Sequence, residues 1–148
     1  MEKIDGLFER LAKPFFNHAH WLIRLGLGIS FFLHGYGKMP ISEGFIGWLG
    51  SNGVIAPQVI APLLAWGEVL AGLGIILGGV LALFKETLGN VITRFSGGAI
   101  GVIMIGAIYV AHSDWAWFIG ERGQVLLASE QIFLLLLGIF FAIRGNKV

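Results

Sequence analysis

Six ionisable side chains stand inside, or at the ends of, the apolar stretches of this chain: Arg24, His34, Lys38, Glu68, His112 and Glu130. Each is a type that does chemistry where water is scarce. A guanidinium or ammonium stabilises a developing oxyanion. A carboxylate or imidazole takes up and returns a proton, and imidazole does so near neutral pH. A charge at the centre of a bilayer costs about 2.5–3.5 kcal/mol on insertion scales, so such groups are expected to be paired or functional. Glu68 and Glu130 against Arg24 and Lys38 make an internally neutral set. The set either lines a polar pocket that holds a small polar head group or relays protons, or it only locks the helices in register.

Other chemistries fit less well. His34 and His112 could ligate a haem iron, but histidines at helix ends are more often hydrogen-bonded interfacial groups, so haem is not expected. A metal site from Glu68, Glu130, His34 and His112 lacks the Glu-x-x-His spacing of di-iron bundles, so no metal is expected. The chain has no cysteine, which excludes disulfides, thiol redox chemistry and cysteine-ligated clusters within it. There is no phosphate loop, no dinucleotide fingerprint and no Ser-His-Asp pattern. A net charge of +1 gives no sign of nucleic-acid binding.

These side chains need elements to hold them. The 148 residues are 56% hydrophobic and 13% charged, against roughly 25% charged in soluble chains. That balance places the chain in the membrane class. Four stretches approach the roughly 20 residues that span a bilayer core. They run over about Ala19 to Gly37, Gln58 to Phe84, Phe95 to Ala111 and Gln124 to Ile143. The expected fold is therefore all-α: a single domain over residues 1–148, built as a four-transmembrane-helix bundle.

Before the first span, Ile4, Leu7, Phe8 and Leu11 fall at i, i+3, i+4 and i+7. Glu2, Lys3, Asp5, Glu9, Arg10 and Lys13 occupy the other positions, the pattern of an amphipathic helix lying in the membrane interface. Met1 to Lys13 has no unbroken apolar core of the kind a cleaved signal needs. Pro14 separates this segment from the first span. Lys3, Arg10, Lys13, Lys85, Arg94, Arg144 and Lys147 fall on one side of the bundle, while only Lys38 and Arg122 fall on the other. The excess predicts both termini inside. His18 and His20, beside Trp21, then belong to the inner interface, and Trp48, Trp115 and Trp117 to the outer one. In the outer loop, Phe45, Trp48 and Leu49 sit at helical spacing before the terminator Asn52-Gly53. A short helix on the outer mouth of the bundle is expected, either as a connector or as a lid.

A helical period of 3.6 sorts the faces. Arg24, Gly28, Phe31, His34, Gly35 and Lys38 share one arc of the first span, and Glu68 shares a face with Ala61, Ala65, Ala71, Gly72 and Gly79. Arg94, Gly98, Gly101, Ile105 and His112 align in the third span, and Glu130 aligns with Gly123, Leu137 and Phe141 in the fourth. Three of these faces are rich in small residues, which let helices approach closely in lipid. Gly74-x-x-x-Gly78 and Gly97-x-x-x-Gly101 serve packing within the chain on this view. Glu68 is expected about 15 Å, and Glu130 about 9 Å, in from the outer surface. His34, Lys38, Glu68, His112 and Glu130 then converge in the outer half of the bundle. Arg24 lies deeper, towards the cytoplasmic side, where it can snorkel or reach Glu68.

The stretch "RLGLGISFFLHGYGK" from Arg24 to Lys38 resembles the first-span signature of the DoxX family of small four-span membrane proteins. "AWGEVLAGLGIILG", from Ala65 to Gly78, resembles the family's glutamate-plus-glycine second helix. His112 near the end of span three, and Glu130 following Gly123, also fit. The likeness runs from about His20 to Gly145 and departs at the tail, where "RGNKV" replaces a longer glycine-rich run. The resemblance implies membrane redox chemistry: subunits of a thiosulfate:quinone oxidoreductase, or proteins of quinone and oxidant stress. Arg24, His34, Lys38, Glu68, His112 and Glu130 become its polar set.

The expectation is a multi-pass protein of the bacterial or archaeal inner membrane. Its outer pocket takes a quinone or a similar small polar head. Electrons come from a bound cofactor or a partner redox subunit, and a homo-oligomer is also open. The competing expectation is a non-catalytic partner or assembly subunit whose buried charges are structural. A transporter fits less well, because four spans without a visible inverted repeat leave little room for alternating access.

Overall fold

A computed structural model describes residues 2–121 and 123–147, with the side chains of residues 2 and 3 left aside. Arg122, counted above with the outer cations, lies outside the described residues, as do Met1 and the charged ends of Glu2 and Lys3. The chain is all-helical: α1 Glu2–Ala12, α2 Ala19–Tyr36, α3 Glu43–Ser51, α4 Pro57–Ala82, α5 Glu86–Ala111 and α6 Glu130–Arg144. Pro14 opens a 3-10 turn, Lys13–His18, between α1 and α2.

Helix α2 packs on α4, α4 on α5 and α5 on α6, while α6 closes back on α2 through a smaller contact. The core between them holds Leu27, Phe31, Ile75, Ile100, Met104 and Phe141. Glycines permit the close contacts. A Cβ at Gly28 would stand 2.9 Å from the Gly72 carbonyl, and one at Gly97 would stand 2.6 Å from the Ala142 nitrogen. Of the two glycine motifs, Gly78 abuts Gly89 and Thr93 of α5, and Gly97 abuts α6. Both therefore serve contacts inside the chain.

Polarity is distributed as lipid requires. Arg24 and Glu68 are buried at 0% and 3%, whereas Leu22, Leu63, Phe95, Val102, Tyr109 and Ile143 are largely exposed. Soluble monomers rarely show so much continuous apolar surface. Two of the described helices, α4 and α5, are long and apolar enough to cross a membrane. At 26 residues each, they exceed the roughly 20 residues a bilayer core needs. The apolar stripe of α1 is also uncovered, with Ile4, Leu7, Phe8 and Leu11 all exposed.

Two boundaries differ from expectation. The third long helix starts at Glu86, not near Phe95. Its first turns carry Glu86, Asn90, Thr93 and Arg94 and look too polar for a span. They are held because Gly89 and Thr93 are buried against α4. The fourth starts at Glu130, not near Gln124. Ala116 donates to the Gln124 carbonyl at 3.1 Å and accepts from the Leu126 N–H at 2.8 Å, which holds this segment extended. A short 3-10 turn, Leu126–Ala128, then leads into α6. The face of α5 also differs. Thr93, Ser96, Gly97, Ile100, Gly101 and Met104 turn inward, whereas Arg94 and Ile105 are exposed. The inward face follows the small residues that fit against α4 and α6, about one position round from the charge at Arg94.

Candidate functional site

The described ion pair begins where α2 ends. Lys38 follows the Gly37 cap, and its Nζ donates to Glu68 Oε2 at 2.6 Å and to the His34 carbonyl at 3.1 Å. The Glu68 side chain is 4% exposed and that of Lys38 is 24% exposed. The carboxylate is therefore inside while the ammonium keeps contact with solvent. Gly35 makes the meeting feasible, since a Cβ there would lie 2.9 Å from the Cβ of Glu68. Without a side chain at that point, α2 comes down onto α4 one turn before Lys38.

Two histidines share the same end. The His34 Nδ1 lies 2.9 Å from the Ser30 carbonyl. A carbonyl only accepts, so Nδ1 is the donor in this contact. His112 caps the C-terminus of α5. Its ring lies tilted against that of Trp115 with centroids 4.1 Å apart, and its Nδ1 is buried with no partner among the described residues. Burial pushes the His112 imidazole below its ordinary pKa, and the nearby Asp114 carboxylate partly opposes this.

His34, Lys38, Glu68 and His112 line one cavity of about 430 Å³. Its walls are mostly apolar: Phe45, Trp48 and Leu49 of α3, Met104 of α5 and Leu134 of α6. Ser42 caps α3 by accepting from the Phe45 N–H at 3.1 Å, and Gly53 leaves the helix at φ +80°. This is the short helix expected from the Phe45, Trp48, Leu49 spacing, and it forms one wall of the cavity. The cavity offers a cation, a carboxylate and two imidazoles in a mostly apolar lining. Such a chamber suits a ligand with a polar, proton-exchanging head and an apolar body.

Two members of the expected set lie elsewhere. Arg24 does not reach Glu68. Its guanidinium donates to the Ile75 carbonyl, to Thr93 Oγ1 at 3.2 Å and to Asn146 Oδ1 at 2.6 Å. It also lies over the Phe141 ring, 4.7 Å from the centroid. Ten residues of helix separate Arg24 from His34, about 15 Å along the axis, and Ile75 and Thr93 are nearer acceptors. Glu130 is exposed at the first turn of α6, accepts from Ser30 Oγ at 2.9 Å, and lines a separate recess with Trp115 and Ser129. The extended segment before α6 removes the turns that would have placed it deeper. Its neighbour Gln131 lines the main cavity instead.

Asn146 is the residue that sequence reasoning passed over. Its backbone N–H donates to Asn90 Oδ1 at 2.9 Å, its Nδ2 donates to the Gly78 carbonyl at 3.2 Å, and its Oδ1 accepts from Arg24 and from Thr93. Gly145, at φ +61°, turns the tail back to place it. A glycine just past a helix end followed by a short amide is the signal that could have found it.

The family model for DoxX matches residues 19–84. A protein of Bacillus subtilis (strain 168) named "Putative oxidoreductase CatD" is 32% identical over 126 residues, covering 85% of this chain and 78% of its own. No solved structure matches.

Proposed function

The chain belongs to the DoxX family of membrane proteins, and from that premise we propose that its cavity at Lys38 and Glu68 serves quinone-linked redox chemistry. The observation that carries this is the clustering of Lys38, Glu68, His34 and His112 in one otherwise apolar chamber. The oxidoreductase name of the Bacillus subtilis relative supports it. A quinone takes up two electrons and two protons as both carbonyls become hydroxyls. Electrons come from a cofactor or partner subunit. Lys38 stabilises the oxyanion that forms first. His34 and His112 exchange protons with the quinone oxygens. Glu68 keeps Lys38 charged and in place.

The same reading makes the protein multi-pass, with α2, α4, α5 and α6 crossing the bacterial or archaeal inner membrane. Lys13, Lys85, Arg94, Arg144 and Lys147 share the end that carries both termini, and an excess of this kind marks the cytoplasmic side. Helix α6 has 15 residues, fewer than the roughly 20 a span needs. The exposed Trp117, Phe118 and Ile119 before it supply apolar surface at the outer interface.

A second reading has one observation in its favour. The Arg24–Asn146 network ties α2, α4, α5 and the tail together and lines no part of the outer cavity. A non-catalytic assembly subunit needs such bracing. Quenching of tryptophan fluorescence by a short-chain benzoquinone separates the two, because Trp48 lines the cavity. The redox reading expects saturable quenching that weakens in His34→Ala and Glu68→Gln. Unchanged binding by both variants removes these residues from the site, and no saturable quenching in the wild type favours the assembly reading.

A further inference from the structure

A second cavity, of about 330 Å³, opens at the end of the bundle that holds both termini. Its walls include Trp21, His20, Asn90, Asn146 and Lys147, and Arg24 forms its floor. Arg24 is 0% exposed. Every acceptor it has among the described residues is neutral: the Ile75 carbonyl, Thr93 Oγ1 and Asn146 Oδ1. Its Nε is buried and has no partner among them. Buried cations are ordinarily paired with an acid, because an uncompensated charge in a low-dielectric interior is strongly destabilising. Among the described residues no acid supplies that countercharge. Lys147 adds a second cation to the wall, and the acid that also lines the cavity, Glu86, is exposed.

We propose that this cavity binds a phosphate group, whose negative charge completes Arg24. Lys147 and the amides of Asn90 and Asn146 are its direct contacts. Arg24 acts from beneath them as the charge that selects an anion. The group can come from free phosphate or from an anionic phospholipid head. The lipid source rests on the reading that this end of the bundle lies at the cytoplasmic leaflet, where basic pockets between helices take anionic heads. The phosphate site itself does not depend on the quinone assignment.

The Asn146→Asp variant gives the sharpest test. It sets a carboxylate where Asn146 Oδ1 now stands, 2.6 Å from Arg24 Nη2. The countercharge is then internal. Thermal unfolding is followed for the full chain in neutral detergent with added inorganic phosphate, and in nanodiscs of phosphatidylcholine with and without phosphatidylglycerol. The wild type is expected to gain stability from phosphate, from phosphatidylglycerol or from both, and the responding arm identifies the source. Asn146→Asp, which also loses the Nδ2 bond to the Gly78 carbonyl, is expected to lose the response. Lys147→Glu, at an exposed position, is expected to weaken the response while leaving the fold intact. A wild type indifferent to both anions overturns the proposal. So does an undiminished response in Asn146→Asp or Lys147→Glu.

Discussion

Removing Lys38 should destabilise this protein more than removing the charge of Glu68. The two side chains are bonded at 2.6 Å but are unequally buried, Glu68 at 4% and Lys38 at 24%. Deleting one partner of a buried pair costs about 3–5 kcal/mol, because the other charge is left uncompensated. In Lys38→Met the stranded group is the enclosed carboxylate. Some solvent reaches the Lys38 position, so the expected loss is near the lower end, about 3 kcal/mol. In Glu68→Gln the stranded group is an ammonium that keeps the His34 carbonyl and some water, so the expected loss is about 1–2 kcal/mol. The double variant Lys38→Met/Glu68→Leu strands nothing and should lie within about 1 kcal/mol of the wild type, since a packed apolar pair often matches a buried ion pair. Reversible unfolding by sodium dodecyl sulfate in mixed micelles measures all three. A Glu68→Gln loss larger than that of Lys38→Met, or a double variant equal to the sum of the singles, refutes this account of the pair. The double variant also tests function, because it should stay folded and still lose the proposed quinone quenching.

Two glycines of α2 should respond oppositely to alanine. A Cβ at Gly35 would meet the Val69 nitrogen at 2.7 Å and the Glu68 Cβ at 2.9 Å, whereas one at Gly26 meets nothing within 4 Å. The same unfolding measurement should show Gly35→Ala losing about 1–3 kcal/mol through overpacking and Gly26→Ala gaining up to about 1 kcal/mol in helix propensity; equal effects would mean that α2 does not rest on α4 at Gly35. His112 should make the protein less stable in mild acid. Its folded pKa lies below the ordinary 6.5, so the unfolded chain binds the proton more readily, and stability falls as pH drops through 6.5 towards the folded value. Melting profiles of wild type and His112→Gln between pH 7.5 and pH 5, about that ordinary value, should diverge with the wild type falling further; parallel profiles would remove His112 as the cause.

Much of the inward geometry was readable from residue order. In α2, Arg24, Gly28, Phe31 and Gly35 are buried, and in α4, Ala61, Ala65, Glu68, Ala71, Gly72 and Gly79 are buried. All ten lie on the faces that the 3.6-residue period predicts, because a charge within an apolar helix has only the bundle interior to turn to. The periodicity failed on α5. There Arg94 sits near a helix end, where it is exposed and bonds the Ile143 carbonyl at 2.8 Å. A charge that can reach the surface does not report the buried face.

Composition and period by themselves determine that this is a membrane protein of packed helices, which faces of α2 and α4 turn inward, and that a short aromatic helix follows α2. Only the tertiary structure decides which charges meet. Pairing depends on axial position and on where each helix begins, and those are set by contacts distant in the chain. The Ala116 bonds to Gln124 and Leu126 delay α6 and leave Glu130 at the surface. The turn at Gly145 brings Asn146 back to Arg24, 122 residues away in sequence. The expected polar set is thus divided, with Lys38 and Glu68 at one cavity, Arg24 at another and Glu130 at a separate recess.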